Sequence, residues 1–233
     1  MWIKRDFFFH FYQGIFHALR RFSIRNWIFA GVGILGVVFF SIAYFHFKNK
    51  DSQAAQDAFY AATEVFQAEL KSVPADSQKV NVEVQFAKTI AAFTNVAKQF
   101  SKTYPAFESK ISLGSLYFDY GLYEKSLTWY QHAYDQAPSV LEKSMASYAL
   151  ALSHESLGKF SSALEYLKKA LSYAEESFKP DIYFSMARCY EALNQIQEAK
   201  LTYEKVYQDY SQTRYAQRAR VFNDRLDSSK PTK

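Results

Sequence analysis

The chain has 233 residues, enough for one sizeable domain with accessory segments. Only 7 Gly and 5 Pro against 18% aromatic residues suit packed helices and argue against a disordered or turn-rich all-β chain. The formal net charge of +5 sits at one end: residues 1–50 hold Lys4, Arg5, Arg20, Arg21, Arg25, Lys48 and Lys50 against Asp6 alone. That excess lies beside an apolar run, so it reads as membrane topology rather than as a nucleic-acid surface.

Residues 1–25 form an aromatic and basic segment, with Phe7, Phe8, Phe9, Phe11, Tyr12, Ile15, Phe16 and Leu19 interleaved with polar side chains. It is too short to span a bilayer and is expected to lie along the cytoplasmic leaflet, Arg20 and Arg21 at the head groups. His10 and His17 can share a helix face, but no third ligand lies near, so interfacial packing is expected rather than a metal pair. Residues 26–48 follow as a transmembrane helix. No charge falls between Arg25 and Lys48. The 21 residues Trp27 to Phe47 would make about 31 Å of helix, the thickness of the hydrocarbon layer. Basic residues are denser before the span than after it. The expected topology is therefore a cytoplasmic N-terminus and an extracytoplasmic, periplasmic C-terminal domain at the inner (cytoplasmic) membrane. The long region before the span, and bulky Tyr44 after the small pair Ser41 and Ala43, favour an anchor over a cleaved signal peptide. The GVGILG run at 31–36 matches a dinucleotide fingerprint by chance, since no strand precedes it.

Beyond residue 51 the apolar spacing is 3 to 4 throughout, which predicts an all-α domain. Residues 51–105 read as a degenerate helical hairpin, Ala54–Leu70 and Val84–Tyr104, broken near Pro74. Three segments within 106–212 then align on a recurring turn. The first reads Leu113, Gly114, Tyr117, Gly121, Tyr123, Ser126, Tyr130, Ala133; the second Leu150, Ala151, His154, Gly158, Phe160, Ala163, Leu167, Ala170; the third Met186, Ala187, Tyr190, Asn194, Ile196, Ala199, Tyr203, Val206. The turns are 37 and 36 residues apart, and the extra residues are expected in loops near 138–143 and 174–180. Residues 213–227 form a capping helix with apolar Tyr215, Ala219, Phe222 and Leu226 and outward arginines; 228–233 is a flexible tail.

These offsets resemble the tetratricopeptide (TPR) repeat: large, small and Tyr on a first helix, Gly at the turn, then aromatic, Ala, aromatic and Ala on a second. The resemblance implies a right-handed superhelical solenoid of antiparallel helix pairs. One span followed by such repeats is similar to the ancillary subunit of the bacterial Sec translocon and to related bacterial envelope TPR proteins, although residues 1–25 are unusually aromatic for the former. The resemblance also implies a groove lined by first-helix positions: Glu108, Ile111, Ser115 and Phe118; Met145, Tyr148, Leu152 and Glu155; Asp181, Phe184, Arg188 and Glu191. This wall lacks the Lys/Asn set of a carboxylate clamp, so apolar or extended protein segments are the expected ligands, anchored by Phe118, Tyr148 and Phe184.

No catalytic constellation, cofactor motif or metal motif stands in the sequence, so the expectation is a non-enzymatic protein-binding module without nucleic-acid partners. His154 fills the Tyr slot of its repeat and His132 lies on a second helix, both as packing or surface residues. Cys189 is expected as a buried structural thiol, with neighbouring Arg188 as the one feature that could lower its pKa. Two roles remain open: an adaptor or chaperone-like factor for translocation or envelope assembly, and a structural scaffold of a larger secretion or motility complex.

Overall fold

A computed structural model describes residues 24–73, 80–101 and 103–228, with the side chains of 24–36, 42–50 and 228 outside that description. The chain divides into two units, Met1–Asp51 and Ser52–Lys233. Helix α1 is Ile24–Lys71. The helix itself runs without interruption through the expected boundary between 48 and 51. Lys48 to Gln53 contain no Gly or Pro, so nothing ends the helix there. Val37, Val38, Phe39 and Phe40 are four consecutive exposed apolar side chains. The rest of the expected span falls on side chains outside the described residues, as do the interfacial segment up to residue 23 and the tail beyond 228. Among the described residues no helix is long and apolar enough to cross a membrane.

In the second unit, α1 stops just before Pro74. A short helix α2 (Val82–Gln85) is capped by the Asn81 side chain, and α3 (Ala87–Gln99) follows after a kink at Phe86. Phe86 has no side-chain oxygen to cap α3. Glu69 of α1 does so instead, accepting from the backbone N–H of Lys88 at 3.3 Å and Thr89 at 3.0 Å and from the Thr89 hydroxyl at 2.7 Å. Burial raises the Glu69 pKa, but these bonds outweigh it and hold the carboxyl below its ordinary value. Along this segment Phe86, Phe93, Val96 and Ala97 are buried, with Ile90 and Phe100 half-buried.

Three helix pairs follow: α4 (Tyr104–Asp119) with α5 (Tyr123–Asp135), α6 (Val140–Ser156) with α7 (Phe160–Tyr173), and α8 (Lys179–Ala192) with α9 (Ile196–Asp209). Helix α10 (Arg214–Ser228) packs on the last pair. Each first helix ends identically. Gly121, Gly158 and Asn194 take positive φ (74°, 70° and 58°), and Asn194 is the one non-glycine to do so among the described residues. At each turn the N–H of that residue bonds the carbonyl three back (Phe118, Glu155, Glu191), and the next N–H bonds the carbonyl five back (Tyr117, His154, Tyr190), all at 2.8–2.9 Å. This is the Schellman arrangement, and it reverses the chain into the second helix.

The small slots let paired helices approach. Ala151, Ala163, Ala187 and Ala199 are fully buried, the first two clustered with Leu167 and the other two with Tyr203 and Val206; burial of Leu167 or Val206 contributes roughly 1.5–3 kcal/mol each. Ser126 fills the slot held by Ala163 and Ala199. Its hydroxyl must find a partner in that dry setting, and it meets the Ser153 hydroxyl at 2.8 Å. The long spacing near 138–143 proves to be helix rather than loop: Ser139 caps α6, whose 17 residues absorb the addition. The 174–180 addition is a loop with a 3-10 turn at Glu176–Phe178, and Pro180 sits in the first turn of α8, where its missing N–H costs nothing.

Candidate functional site

Ile111, Ser115 and Phe118 lie one helical turn apart on α4, and Tyr148 and Leu152 on α6, so each set lines one face. The structure brings these five together around a cleft of about 390 Å³, completed by Tyr130, Leu141, Met145, Ala149 and Phe178. A second cleft of about 320 Å³ shares Ile111 and Ser115, and is closed by Phe59, Thr63, Phe66 and Gln67 of α1, Thr89 and Phe93 of α3, and Ser112, Leu116 and Asp119 of α4. A third, about 490 Å³, shares Phe118 and Leu152 and is bounded by Glu155, Ser156, Phe160 and Arg188. Because the lining residues overlap, the three clefts form one continuous groove of the size used for small apolar anchors.

The walls are held rigidly. The Tyr148 ring stands edge-on to Phe178 at 5.1 Å, and its hydroxyl meets that of Ser185 at 3.1 Å. Phe118 stacks edge-on against Tyr123 at 5.3 Å. Tyr130 bonds Ser115 at 3.1 Å, and burial pushes its phenol up to about 12, so it stays neutral at physiological pH. Such fixed aromatics present contact area at little entropic cost.

The charges on this side are mostly matched between α6 and α8 and between α8 and α10. Arg188 pairs with Glu155 at 2.8 Å, Arg214 with Asp181 at 3.4 Å, and Arg225 with Glu191. Burial raises the Glu155 carboxyl, and Arg188 partly offsets it. Tyr203 also donates to Glu191.

One expected anchor is corrected. Phe184 is 2% exposed and sits in the core with Ala187, Tyr203 and Val206, its ring against Tyr203, Tyr215 and Phe222. The capping helix covers it, so it presents no face to a ligand. Tyr130, Phe178 and Asp119 are groove residues that the repeat positions do not indicate. Tyr130 sits in a core slot by pattern, yet reaches the cleft because Gly114 lets its ring lie close against α4: a Cβ built on Gly114 would stand 2.3 Å from Cε1 of Tyr130. That glycine, where the other repeats have alanine, is the available signal.

Other titratable groups serve packing. The Cys189 thiol is buried, and burial pushes it up to about 12 despite the Arg188 charge; the nearby arginine does not activate it. His154 stacks on Tyr166 at 5.2 Å, and burial lowers its pKa. Among the described residues no three His, Cys, Asp or Glu side chains are placed to hold a metal ion.

Tetratricopeptide-repeat family models match residues 106–176 and 156–220. Among solved structures, the nearly identical TPR-like repeats of a Podosopora anserina kinesin-light-chain-type protein align over 76% of this chain and 86% of that one, at 15% identity and a TM-score of 0.53. A point-substituted form of the same repeats aligns over 76% and 85%, at 16% identity and a TM-score of 0.54. The TPR domain of Arabidopsis OM64 aligns over 54% of this chain and 97% of that one, at 18% identity and a TM-score of 0.45. The two Podosopora likenesses concern the fold alone. No curated protein matches the chain.

Proposed function

We propose, from the premise that residues 106–220 are tetratricopeptide repeats, that this chain is a membrane-anchored adaptor that holds apolar segments of other proteins in its groove. The observation that carries the binding role is the continuity of the three clefts along the first helices of successive pairs. A repeat array offers such a surface by construction, and its rigid aromatic walls suit protein segments rather than chemistry. The anchor is supported by the charge-free run from Asn26 to Phe47 and by four consecutive exposed apolar side chains at 37–40, which water would not favour. Basic residues before that run support a cytoplasmic N-terminus and an extracytoplasmic groove, with a chaperone-like role in translocation or envelope assembly similar to that of the ancillary Sec subunit.

The second reading is a scaffold subunit of a larger membrane machine, favoured by the density of aromatics between Phe7 and Leu19. Two measurements divide the possibilities. An alkaline phosphatase fused after Lys233 should be active; activity confined to a cytoplasmic reporter would sink the envelope role. Purification in mild detergent should yield the chain with transient clients, whereas a fixed stoichiometric complex would favour the scaffold.

A further inference from the structure

We propose that the segment held in this groove carries a lysine or arginine beside Asp119, a few residues from a bulky apolar side chain seated between Phe118 and Leu152. The inference rests on the groove reading above and adds the chemistry of its occupant. It follows from how the carboxylates around the groove are used.

On the α8 side, Glu155, Asp181 and Glu191 are each matched by an arginine from the helix two further along the chain. On the α1 side, Glu69 is consumed by the cap of α3, Glu83 pairs with Lys125, and Glu108 receives the Tyr104 hydroxyl. Asp119 differs from all of these. It lines the second cleft, and among the described residues no hydrogen bond or ion pair reaches it. Its outer side is open to solvent, so a ligand can reach it. Its carboxyl is nonetheless raised above its ordinary value by partial burial against the cleft, with no cation or donor offsetting that effect. It stands close enough to raise the pKa of Tyr130, which lines the first cleft.

An unmatched carboxylate in the second cleft, which shares Ile111 and Ser115 with the first, selects a ligand by charge. A cation placed there regains the interaction that the protein withholds, and the hydroxyls of Thr63, Ser112 and Ser115 around the same cleft can accept its remaining N–H bonds. A neutral or acidic segment leaves Asp119 unmatched or repelled. The adjoining first cleft is lined mostly by apolar side chains, which fixes the second requirement.

The test uses the full chain in detergent micelles, selected against a phage-displayed random dodecapeptide library, with recovered peptides synthesised and measured by fluorescence anisotropy. The expected peptides carry a large apolar residue and a Lys or Arg at constant spacing. Asp119→Asn should weaken them about tenfold, the effect of about one matched charge pair. Selection on Asp119→Lys should replace the basic residue by Asp or Glu, and Leu152→Lys should lose all of them. Peptides that Leu152→Lys loses but Asp119→Asn binds unchanged would overturn the basic ligand and leave the groove reading intact. Recovery of no peptide, or of peptides indifferent to Leu152→Lys, would overturn both.

Discussion

Replacing Gly114 by alanine should destabilise the domain, although alanine is the better helix former. In an exposed helix the exchange gains about 1 kcal/mol. Here the added Cβ would lie 2.3 and 2.4 Å from two ring carbons of Tyr130. Ordinary contact needs about an ångström of extra room. The ring cannot swing into solvent easily: it is 5% exposed and its hydroxyl is bonded to Ser115. Overpacking costs typically 1–3 kcal/mol, and a contact this close calls for about 2–3 of it; less the gain of about 1 kcal/mol, the net loss is about 1–2 kcal/mol. For a chain of this length that lowers the melting temperature by roughly 2–8 °C. The protein itself supplies the compensated pair, since the second repeat sets Ala151 beside Leu167. Gly114→Ala with Tyr130→Leu should therefore recover much of the loss, a non-additivity that separates steric conflict from backbone effects. Urea unfolding followed by circular dichroism measures both variants. A Gly114→Ala protein as stable as the parent would refute the close approach, and with it the route by which Tyr130 reaches the groove.

The turns give a second test. Asn194 occupies a left-handed position with the other two held by glycine. Asn194→Gly should raise stability by several tenths of a kcal/mol, while Gly121→Ala, which meets no atom within 4 Å, should lower it by about 1–2 kcal/mol through backbone strain alone; equal midpoints would contradict both. Arg188→Met strands the half-buried Glu155 and should cost about 1–2 kcal/mol at neutral pH. Burial already raises the Glu155 carboxyl, and loss of Arg188 raises it further. The folded form then holds the proton more tightly than the unfolded form, so the penalty applies above the folded pKa and shrinks as pH falls through it. A penalty that does not change between pH 7 and pH 4 would argue against the pairing. Cys189, buried and pushed up to about 12, should resist Ellman's reagent at pH 8 until denaturant is added; fast labelling of the native protein would show an open site.

The repeats are legible because their constraints are local in sequence. A residue that must take positive φ, and small residues where helices cross, recur at fixed offsets, and three turns in register leave little ambiguity. What escapes a sequence reading depends on neighbours distant in the chain or on the absence of a signal. Val140 to Lys143 follow a proline and suggest a loop, yet Ser139 caps a helix that begins at the next residue. Nothing in the run from Lys48 to Gln53 marks an end, so α1 continues across the expected boundary. The Glu69 cap of α3 joins residues about twenty apart. Phe184 falls on the groove wall by its repeat position, but the last repeat is the one the capping helix covers. Asp119 attracts no notice in the sequence, because its lack of a partner is a property of the space around it.

The central claim is that the first-helix groove binds protein segments. It is tested most directly by a photo-cross-linking amino acid placed in turn at Leu152, within the groove, and at Lys168, an exposed second-helix position, in living cells. Discrete cross-linked proteins are expected from position 152, reduced by Phe118→Lys, and none of these from position 168. Identical products from both positions, or no product from 152, would contradict the claim.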